Sequence, residues 1–313
     1  MKLAVIDMGT NTFHLLIAEL KNGFMSEVYK ENIPVKLGEG GINRRLITEA
    51  AFERGINAVK HFEEKVLENN IEALKIIGTS ALRNAHNGAE FAAKVKEITN
   101  YDVEIIDGDK EAEFIYLGVK EAINLYHHKS LIMDIGGGSV EFIICDENQM
   151  FWKQSFEIGA SRLIQKFKLS DPITSDEINE LEAYFDQTLE QLFTAAKEIS
   201  VDQIVGSAGS FETFADMIGH RFYTPELIDE LTTYEFKKSE FDAIYEQLIH
   251  STHKERLRTP GIITMRVDMI VVAAVLTNFI RKKLGLDRMH LSTYALKEGV
   301  LSEMAREINN LVN

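Results

Sequence analysis

Two short segments of the chain combine a carboxylate, glycines and hydroxyl groups in the same order. They are Asp7-Met8-Gly9-Thr10-Asn11-Thr12 and Asp134-Ile135-Gly136-Gly137-Gly138-Ser139. Glycine leaves no side chain between the backbone and a ligand, and successive N–H groups in such a turn converge on anion oxygens. The hydroxyl groups of Thr10, Thr12 and Ser139 add further donors. Both segments therefore predict turns that bind phosphate.

The two aspartates stand where a strand meets its turn, so their carboxylates can point toward a ligand held by the turns. Mg²⁺ is typically bound by one or two carboxylates together with phosphate and water oxygens. Asp7 and Asp134 are therefore candidate metal ligands. An ordinary hairpin would explain one such segment, but two matched copies favour a phosphate site divided between two domains.

A third glycine segment follows a predicted strand and opens a predicted helix, Phe211–Met217. It reads Val205-Gly206-Ser207-Ala208-Gly209-Ser210. Helix N-termini bind anions through their free N–H groups, so Gly206, Ser207, Gly209 and Ser210 are further candidates for phosphate binding. The chain has no G-x-x-x-x-G-K-[ST] motif, so a P-loop is not supported.

The two matched segments also indicate an internal repeat, since Asp134 follows Asp7 by 134 − 7 = 127 residues. Each copy is predicted to form a strand, a tight turn and a second strand. We expect an α/β protein of two similar domains facing each other across a cleft, residues 1–125 with 295–313 and residues 126–294. The predicted strands are Lys2–Asp7, Phe13–Leu20, Ala73–Gly78, Val103–Ile106, Leu131–Asp134, Val140–Cys145, Gln203–Val205 and Arg288–Leu291.

Amphipathic segments between these strands predict helices. They are Glu49–Asn69, Gly88–Thr99, Lys110–Leu125 and Asp176–Ile199, the last preceded by a capping-box pattern that begins at Thr174. The longest apolar segment, Val267–Ile280, contains Asp268 and is too short to span a bilayer. We expect it to be a buried helix.

Composition limits the classes of partner. The 313 residues carry a formal net charge of −15, which argues against nucleic-acid binding and would repel a polyanionic substrate. A local cluster of cationic groups and a divalent cation would have to offset that field. The single cysteine, Cys145, excludes an intramolecular disulfide. With no signal-peptide pattern at the N-terminus, we expect a cytoplasmic protein without membrane contact.

Segments along nearly the whole chain resemble the exopolyphosphatase/guanosine-pentaphosphate phosphohydrolase family, a branch of the actin-like ATPase superfamily. Besides the glycine turns, they are Ile33–Ile42, Gly78–Asn84, Val103–Val119, Phe156–Phe167, Met265–Leu276 and Leu291–Leu301. The resemblance implies two ribonuclease-H-like domains that flank a phosphate-binding cleft. It corresponds to the short two-domain form of the family, for which a homodimer is also expected.

The resemblance also implies roles for individual residues. Glu111 matches the general base that activates water, and Arg83 matches an arginine that contacts phosphate. Asp134 and Glu141, with possible help from Asp7, match the Mg²⁺ site, and Arg266 matches a cleft arginine. Without the resemblance, Glu111 could be a helix N-terminal glutamate, Glu141 a solvent-facing strand residue, and either arginine a structural one.

The implied activity is release of the terminal phosphate from polyphosphate, especially short chains, or from guanosine pentaphosphate. Two alternatives share the fold: a small-molecule kinase and a non-enzymatic nucleotide-binding or assembly protein. Glu113 stands where relatives often carry arginine, so we expect added negative charge near the cleft. Lys36 and Lys297 likewise stand where many relatives carry arginine.

Overall fold

A computed structural model of the chain describes residues 1–21, 23–224 and 231–312. Within these ranges, a first sheet has its strands in the order β3-β2-β1-β4-β5. These strands are β1 (Lys2–Met8), β2 (Thr12–Lys21), β3 (Phe24–Pro34), β4 (Ala73–Gly78) and β5 (Val103–Ile105). Its associated helices are α1 (Glu49–Asn69), α2 (Ser80–Asn84), α3 (Gly88–Thr99) and α4 (Gly108–Ala122). A short 3₁₀ helix covers Ile42–Arg44.

The second sheet, over the same described ranges, has the order β10-β11-β9-β6-β7-β8. Its strands are β6 (Ser130–Ile135), β7 (Val140–Cys145), β8 (Met150–Phe156), β9 (Gln203–Ser207), β10 (Thr233–Phe236) and β11 (Met289–Ser292). The helices here are α5 (Ala160–Phe167), α6 (Ser175–Thr188), α7 (Glu190–Ile199), α8 (Ala208–Phe222), α9 (Lys238–His250), α10 (His253–Arg256), α11 (Ile270–Leu284) and α12 (Leu296–Val312). A second 3₁₀ helix covers Thr264–Arg266.

The two sheets repeat one topology, which confirms the internal repeat. In each, an antiparallel meander (β1-β2-β3 or β6-β7-β8) is followed by strands parallel to its first member. The registers also match, since Asp7 pairs with His14 and Asp134 pairs with Glu141. Equivalent residues of the two copies are thus delivered to the same end of each sheet.

The predicted elements correspond closely to the observed ones, with two differences. The helix predicted over Asp176–Ile199 is divided at Leu189, a fully buried residue whose φ of −101° and ψ of 18° depart from the helix. Three strands, β3, β8 and β10, are absent from the predicted strands. β3 lies at a sheet edge with mostly exposed side chains, so its sequence has no alternation of apolar and polar residues.

Helix α11 is buried along almost its whole length, as predicted for this apolar segment. None of the helices in the described ranges combines the length and apolar character needed to cross a membrane. The apolar surface of α11 is buried in the core of the second half of the chain, against α8 and the second sheet.

Helices α4 and α12 form a middle layer between the two sheets. One apolar cluster joins Val5 and Ile77 of the first sheet with Ile132 and Val205 of the second through residues of both helices. Because close-packed interiors tolerate little displacement, this layer fixes the positions of both helix N-termini relative to the sheets.

The two helices of this layer cross at glycines. A Cβ atom at Gly118 would lie 1.9 Å from the carbonyl oxygen of Ala295, and one at Gly299 would lie 1.8 Å from that of Phe114. No larger residue fits at either position without moving a backbone. The crossing sets how closely the first turns of α4 and α12 approach.

We expect Gly299→Ala to lower the free energy of unfolding by about 2–3 kcal/mol, because the overpacking it causes exceeds the gain of about 1 kcal/mol in helix propensity. Urea denaturation followed by circular dichroism measures this change. Glu307→Ala, on an exposed position of α12, is the matched control and should change stability by less than about 0.5 kcal/mol. Equal stability of the two variants would contradict the close crossing.

Candidate active site

The two glycine-rich turns have the same internal geometry. Gly9 N donates to Thr12 O at 3.2 Å, and Gly136 N donates to Ser139 O at 3.1 Å. Each turn connects the first and second strands of its sheet, so the two turns are structural equivalents. They present backbone N–H groups and hydroxyls to a common space.

The turns also contact each other. A Cβ atom at Gly138 would lie 2.6 Å from the Thr10 hydroxyl and 2.5 Å from that of Ser80, so only glycine fits there. Asn11 accepts a hydrogen bond of 2.8 Å from Ser161 at the start of α5. The glycine-rich turns of the two halves are therefore in direct contact.

A cavity of about 180 Å³ opens where the turns meet. It is lined by most of the predicted site residues: Asp7, Gly9, Thr10, Asn11, Thr12, Glu111, Asp134, Gly136, Gly137, Gly138, Ser139, Glu141, Gly209 and Arg266. Arg83, Gly206, Ser207 and Ser210 lie outside its lining.

The third glycine segment contributes mainly indirectly. Gly206 and Ser207 end β9, and the Ser207 hydroxyl donates to Asp134 Oδ2 at 2.7 Å. Ser210 is buried within the first turn of α8. Gly209 reaches the cavity, and a Cβ atom there would lie 1.8 Å from Arg266 Nη2. The glycine thus makes room for a buried guanidinium.

Glu111 lies in the first turn of α4, which Asp107 caps by accepting from Lys110 N at 2.8 Å. Its Oε2 accepts from Arg83 Nη1 at 2.7 Å, and the same Nη1 donates to Ile106 O at 3.0 Å. Burial raises the pKa of Glu111 to about 7, even though the Arg83 charge opposes that rise. Glu111 is thus a buried carboxylate held by an arginine and titrating near neutrality.

Three further carboxyl groups surround the same space. Burial raises the pKa of Asp7 to about 7 and also raises the pKa of Asp134. The pKa of Glu141 is raised well above its usual value by burial, with the charges of Glu111 and Asp134 adding to the effect. Glu141 Oε1 accepts from Ser155 at 2.7 Å. Four acidic groups in a small volume cannot all ionise without added positive charge.

The donor set fits a cation that takes only part of its ligands from protein. In residues 1–21, 23–224 and 231–312, no trio of His, Cys, Asp or Glu side chains is arranged to hold a metal by itself. Asp7 Oδ1 is buried and, within the described chain, accepts no hydrogen bond. Mg²⁺ keeps several waters or substrate oxygens beside one or two carboxylates, which is compatible with this arrangement.

Arg266, which lines the cavity, has a buried Nε without a hydrogen-bond acceptor in the described part of the chain. Arg83 Nη2 also lacks a hydrogen bond there, but it lies 3.8 Å from Glu157 Oε1. Buried polar groups of native proteins nearly always have partners, so the Arg266 donor is placed for a ligand with acceptor oxygens. Phosphate supplies such oxygens and suits guanidinium geometry.

Sequence reasoning did not assign Lys297 and His14 to the site, although both line the cavity. Lys297 is in the first turn of α12 and is 9% exposed. His14 Nδ1 lies 2.6 Å from Asn32 Oδ1. Burial and the Lys297 charge lower the pKa of His14 to about 3, so its ring is neutral at physiological pH. The repeat provided a signal, because His14 occupies the position equivalent to Glu141.

Glu157 and Arg162 were also missed. They flank the start of α5 and form an ion pair. Glu157 accepts from Asn84 Nδ2 at 2.9 Å, and Arg162 Nε donates to Gly138 O at 2.9 Å. The pair therefore connects α2, which carries Arg83, with the second glycine-rich turn. Nothing in the spacing of these residues predicts contacts this distant in sequence.

The expectation for Glu113 was wrong. Its carboxylate pairs with Lys153 Nζ at 2.6 Å and lies outside the cavity lining. The lysine comes from β8, so only the folded chain brings the two together. Glu113, which stands where relatives often carry arginine, therefore adds no uncompensated negative charge to the site.

A larger cavity of about 460 Å³ adjoins the site at Asn11, Thr12 and Met265. Its remaining walls are largely apolar and include Ile164 and Val271. None of the four site carboxylates lines it, so the chemistry is assigned to the smaller cavity.

The chain is similar to known proteins over nearly its whole length. The chain matches the Ppx/GppA phosphatase family over residues 16–308. A crystal structure of an exopolyphosphatase from Cytophaga hutchinsonii is similar, with 40% identity, a TM-score of 0.96 and 98% of each chain covered. The Aquifex aeolicus member of the Ppx/GppA family is 25% identical with a TM-score of 0.81, covering 98% of each chain.

A guanosine-5'-triphosphate,3'-diphosphate pyrophosphatase of Vibrio cholerae is 26% identical over 305 residues. The match covers 97% of this chain but 59% of that relative. The predicted α/β architecture with two related halves is confirmed by the two sheets and by these structures. The chain belongs to the Ppx/GppA phosphatase family.

Proposed function

We propose that this chain hydrolyses a terminal phosphoanhydride bond, with Glu111 as the general base, Mg²⁺ as the cofactor, and polyphosphate or guanosine pentaphosphate as the substrate. The observation that carries the proposal is the buried Glu111–Arg83 pair, which opens on a cavity between two glycine turns. Relatives named as an exopolyphosphatase and as a guanosine-pentaphosphate enzyme support the substrate class.

Glu111 has the properties that the base needs. A general base works best when its pKa lies near the operating pH, and burial brings the pKa of Glu111 to about 7. Arg83 holds one carboxylate oxygen at 2.7 Å, which orients the other for a water molecule. The ionised carboxylate accepts the proton of that water as its oxygen attacks the terminal phosphorus.

Binding and charge neutralisation come from the turns and the arginines. The N–H groups of the two turns, the unpartnered donor of Arg266 and the charge of Arg83 offer positive potential to phosphate oxygens. Phosphoryl transfer depends mainly on such positioning and electrostatic stabilisation. Asp134 and Glu141 would hold Mg²⁺, with Asp7 contacting its waters, and the cation would neutralise phosphate charge. The remaining negative charge of the chain then adds to solubility without dominating the site.

The two substrates present the same terminal group, so the site chemistry alone does not rank them. Phosphate release from short polyphosphate, long polyphosphate and guanosine pentaphosphate, measured in parallel with and without Mg²⁺, ranks them directly. We expect release that requires Mg²⁺ and is faster on short than on long polyphosphate. Absence of release from all three would overturn the proposal.

Glu111→Gln should lower kcat by about 10²–10⁴-fold, the usual range for loss of a general base, and leave substrate binding largely intact. Steady-state kinetics on the best substrate measures both. Glu113→Gln makes the same chemical change two residues along α4, outside the cavity, and should change kcat by less than about threefold. Full turnover by Glu111→Gln would remove Glu111 from the mechanism.

The pH dependence follows from the pKa of Glu111. Because the base acts when ionised, kcat/KM should fall as pH drops below about 7. The Arg83 charge lowers that pKa, so Arg83→Met should move the acidic limb to higher pH as well as reduce the rate. If the acidic limb of the kcat/KM profile lay at the same pH in Arg83→Met as in the wild type, Glu111 would not be the base.

Stability should also depend on pH and Mg²⁺. The pKa values of Asp7 and Glu111 rise from 3.8 and 4.5 to about 7 on folding. The stability that the protonated forms contribute is fully present below pH 3.8 and is lost as pH rises through about 7. Without divalent cations, the unfolding temperature should therefore fall over this window.

Mg²⁺ should restore that stability, and by more at pH 8 than at pH 6, because it binds the ionised carboxylates. Thermal unfolding in matched ionic strength measures the shift. Asp134→Asn should lose most of it, whereas Asp287→Asn, an exposed surface change, should keep it. An equal Mg²⁺ shift in both variants would place the cation elsewhere.

A further inference from the structure

Glu111 and Lys297 are carried on different helices. Glu111 lies in the first turn of α4 and pairs with Arg83, which lies outside the cavity lining. Lys297 lies in the first turn of α12 and lines the cavity. Ala295, just before α12, contacts α4 at Gly118. Gly118 is 118 − 111 = 7 residues beyond Glu111, so the start of α12 lies about 10 Å along α4 from the base at about 1.5 Å per residue.

Lys297 is a buried cation with spare hydrogen-bonding capacity. Its Nζ lies 3.0 Å from Glu298 Oε1, the one ion pair of this ammonium in the described chain. Glu298 Oε2 is engaged separately, accepting from Ala295 N at 2.8 Å. An ammonium has three N–H donors, and a buried charge without enough partners is costly. An anionic ligand in the cavity would supply the missing acceptors.

The surroundings of Lys297 extend the cavity along the first sheet. Asp7, His14 and Asn32 are register partners on β1, β2 and β3, and all three line the cavity. His14 is neutral, so it does not add to the charge. Lys30 also lines this region. A row of polar groups therefore leads from the phosphate turns toward the edge strand, with Lys297 beside its inner end.

In a phosphoryl transfer, the attacking and leaving oxygens lie roughly in line on opposite sides of the phosphorus. If the water is held by Glu111, the bridging oxygen of the substrate faces away from the base. Negative charge develops on that oxygen as its bond to the terminal phosphorus breaks. A cation remote from the base is the group placed to offset it.

We propose that Lys297 binds the second phosphate of the substrate, the one that becomes the leaving group, and is a further catalytic residue. The inference rests on the proposed hydrolysis. The water oxygen bonds to the terminal phosphorus, and its proton passes to Glu111. The phosphorus–oxygen bond to the second phosphate breaks, and its electron pair remains on the bridging oxygen. Lys297 keeps its proton and donates a hydrogen bond to that oxyanion.

Direct binding tests the subsite without requiring turnover. Calorimetry at fixed Mg²⁺ would compare inorganic pyrophosphate, which has a second phosphate, with orthophosphate, which has none. We expect Lys297→Met to weaken pyrophosphate binding by about 10–100-fold, the range for a hydrogen bond to a charged group, and orthophosphate binding by less than about threefold. Lys297→Arg should retain pyrophosphate binding within a few-fold. Lys153→Met, outside the cavity, is the control.

Kinetics separates this inference from the proposed function. If the wild-type protein releases phosphate, Lys297→Met should lower kcat by at least about tenfold, and Lys297→Arg should restore most of it. Turnover by Lys297→Met at the wild-type rate would overturn the inference and leave the hydrolase proposal standing. Equal weakening of pyrophosphate and orthophosphate binding would do the same. Absence of wild-type turnover would instead overturn the proposed function, while the pyrophosphate measurement still decides the subsite. Lys297→Gln replaces Lys297→Met if thermal unfolding shows that the latter does not fold.

Discussion

Four carboxyl groups, those of Asp7, Glu111, Asp134 and Glu141, are buried around one small cavity, and much of the surrounding structure compensates for their burial. Desolvation raises the pKa of each of them. The compensating groups come from separate elements: Arg83 from α2, Arg266 from the 3₁₀ helix before α11, and Lys297 from α12. Hydroxyls on β8 and β9 complete the set by donating to two of the carboxylates. The acidic cluster is stable because the fold gathers cations that are far apart in sequence, and a bound cation would complete that compensation.

The middle layer explains how these groups are held in position. Helices α4 and α12 lie between the sheets and cross at two glycines, so Glu111 and Lys297 are both carried on first turns that cannot move independently. Each sheet then contributes an aspartate at the end of its first strand. Helices and strands carry the charged side chains, whereas the glycine-rich sequence is confined to the turns that line the cavity. This division suits catalysis by positioning, in which a displacement of about 1 Å greatly lowers the reaction rate.

Much of this arrangement could be predicted from the sequence because it is encoded locally. The repeated Asp-x-Gly segments predicted two related halves, and both turns line the cavity together with Glu111. Contacts between distant segments could not be predicted in the same way. The neutralisation of Glu113 depends on Lys153 from strand β8, and two partners of Glu157, Ser80 and Asn84, lie 77 and 73 residues away in sequence. Strand β3 was missed because an exposed edge strand lacks the apolar alternation on which recognition depends. The domain boundaries, the homodimer and the cytoplasmic location remain predictions.

The same distribution of contacts explains why the site belongs to neither half alone. Glu111, Arg83 and Asp7 come from the part of the chain that builds the first sheet, whereas Asp134, Glu141 and Arg266 come from the part that builds the second. Glu157 and Arg162 connect α2 to the second glycine-rich turn, and Ser161 donates a hydrogen bond to Asn11 in the first. Opening the cleft would break these bonds and expose the carboxylates to water, which would lower the pKa of Glu111 toward its ordinary value. The pKa of Glu111 near neutrality therefore depends on burial that neither half provides alone, and the contacts that join the halves around the cavity maintain that burial.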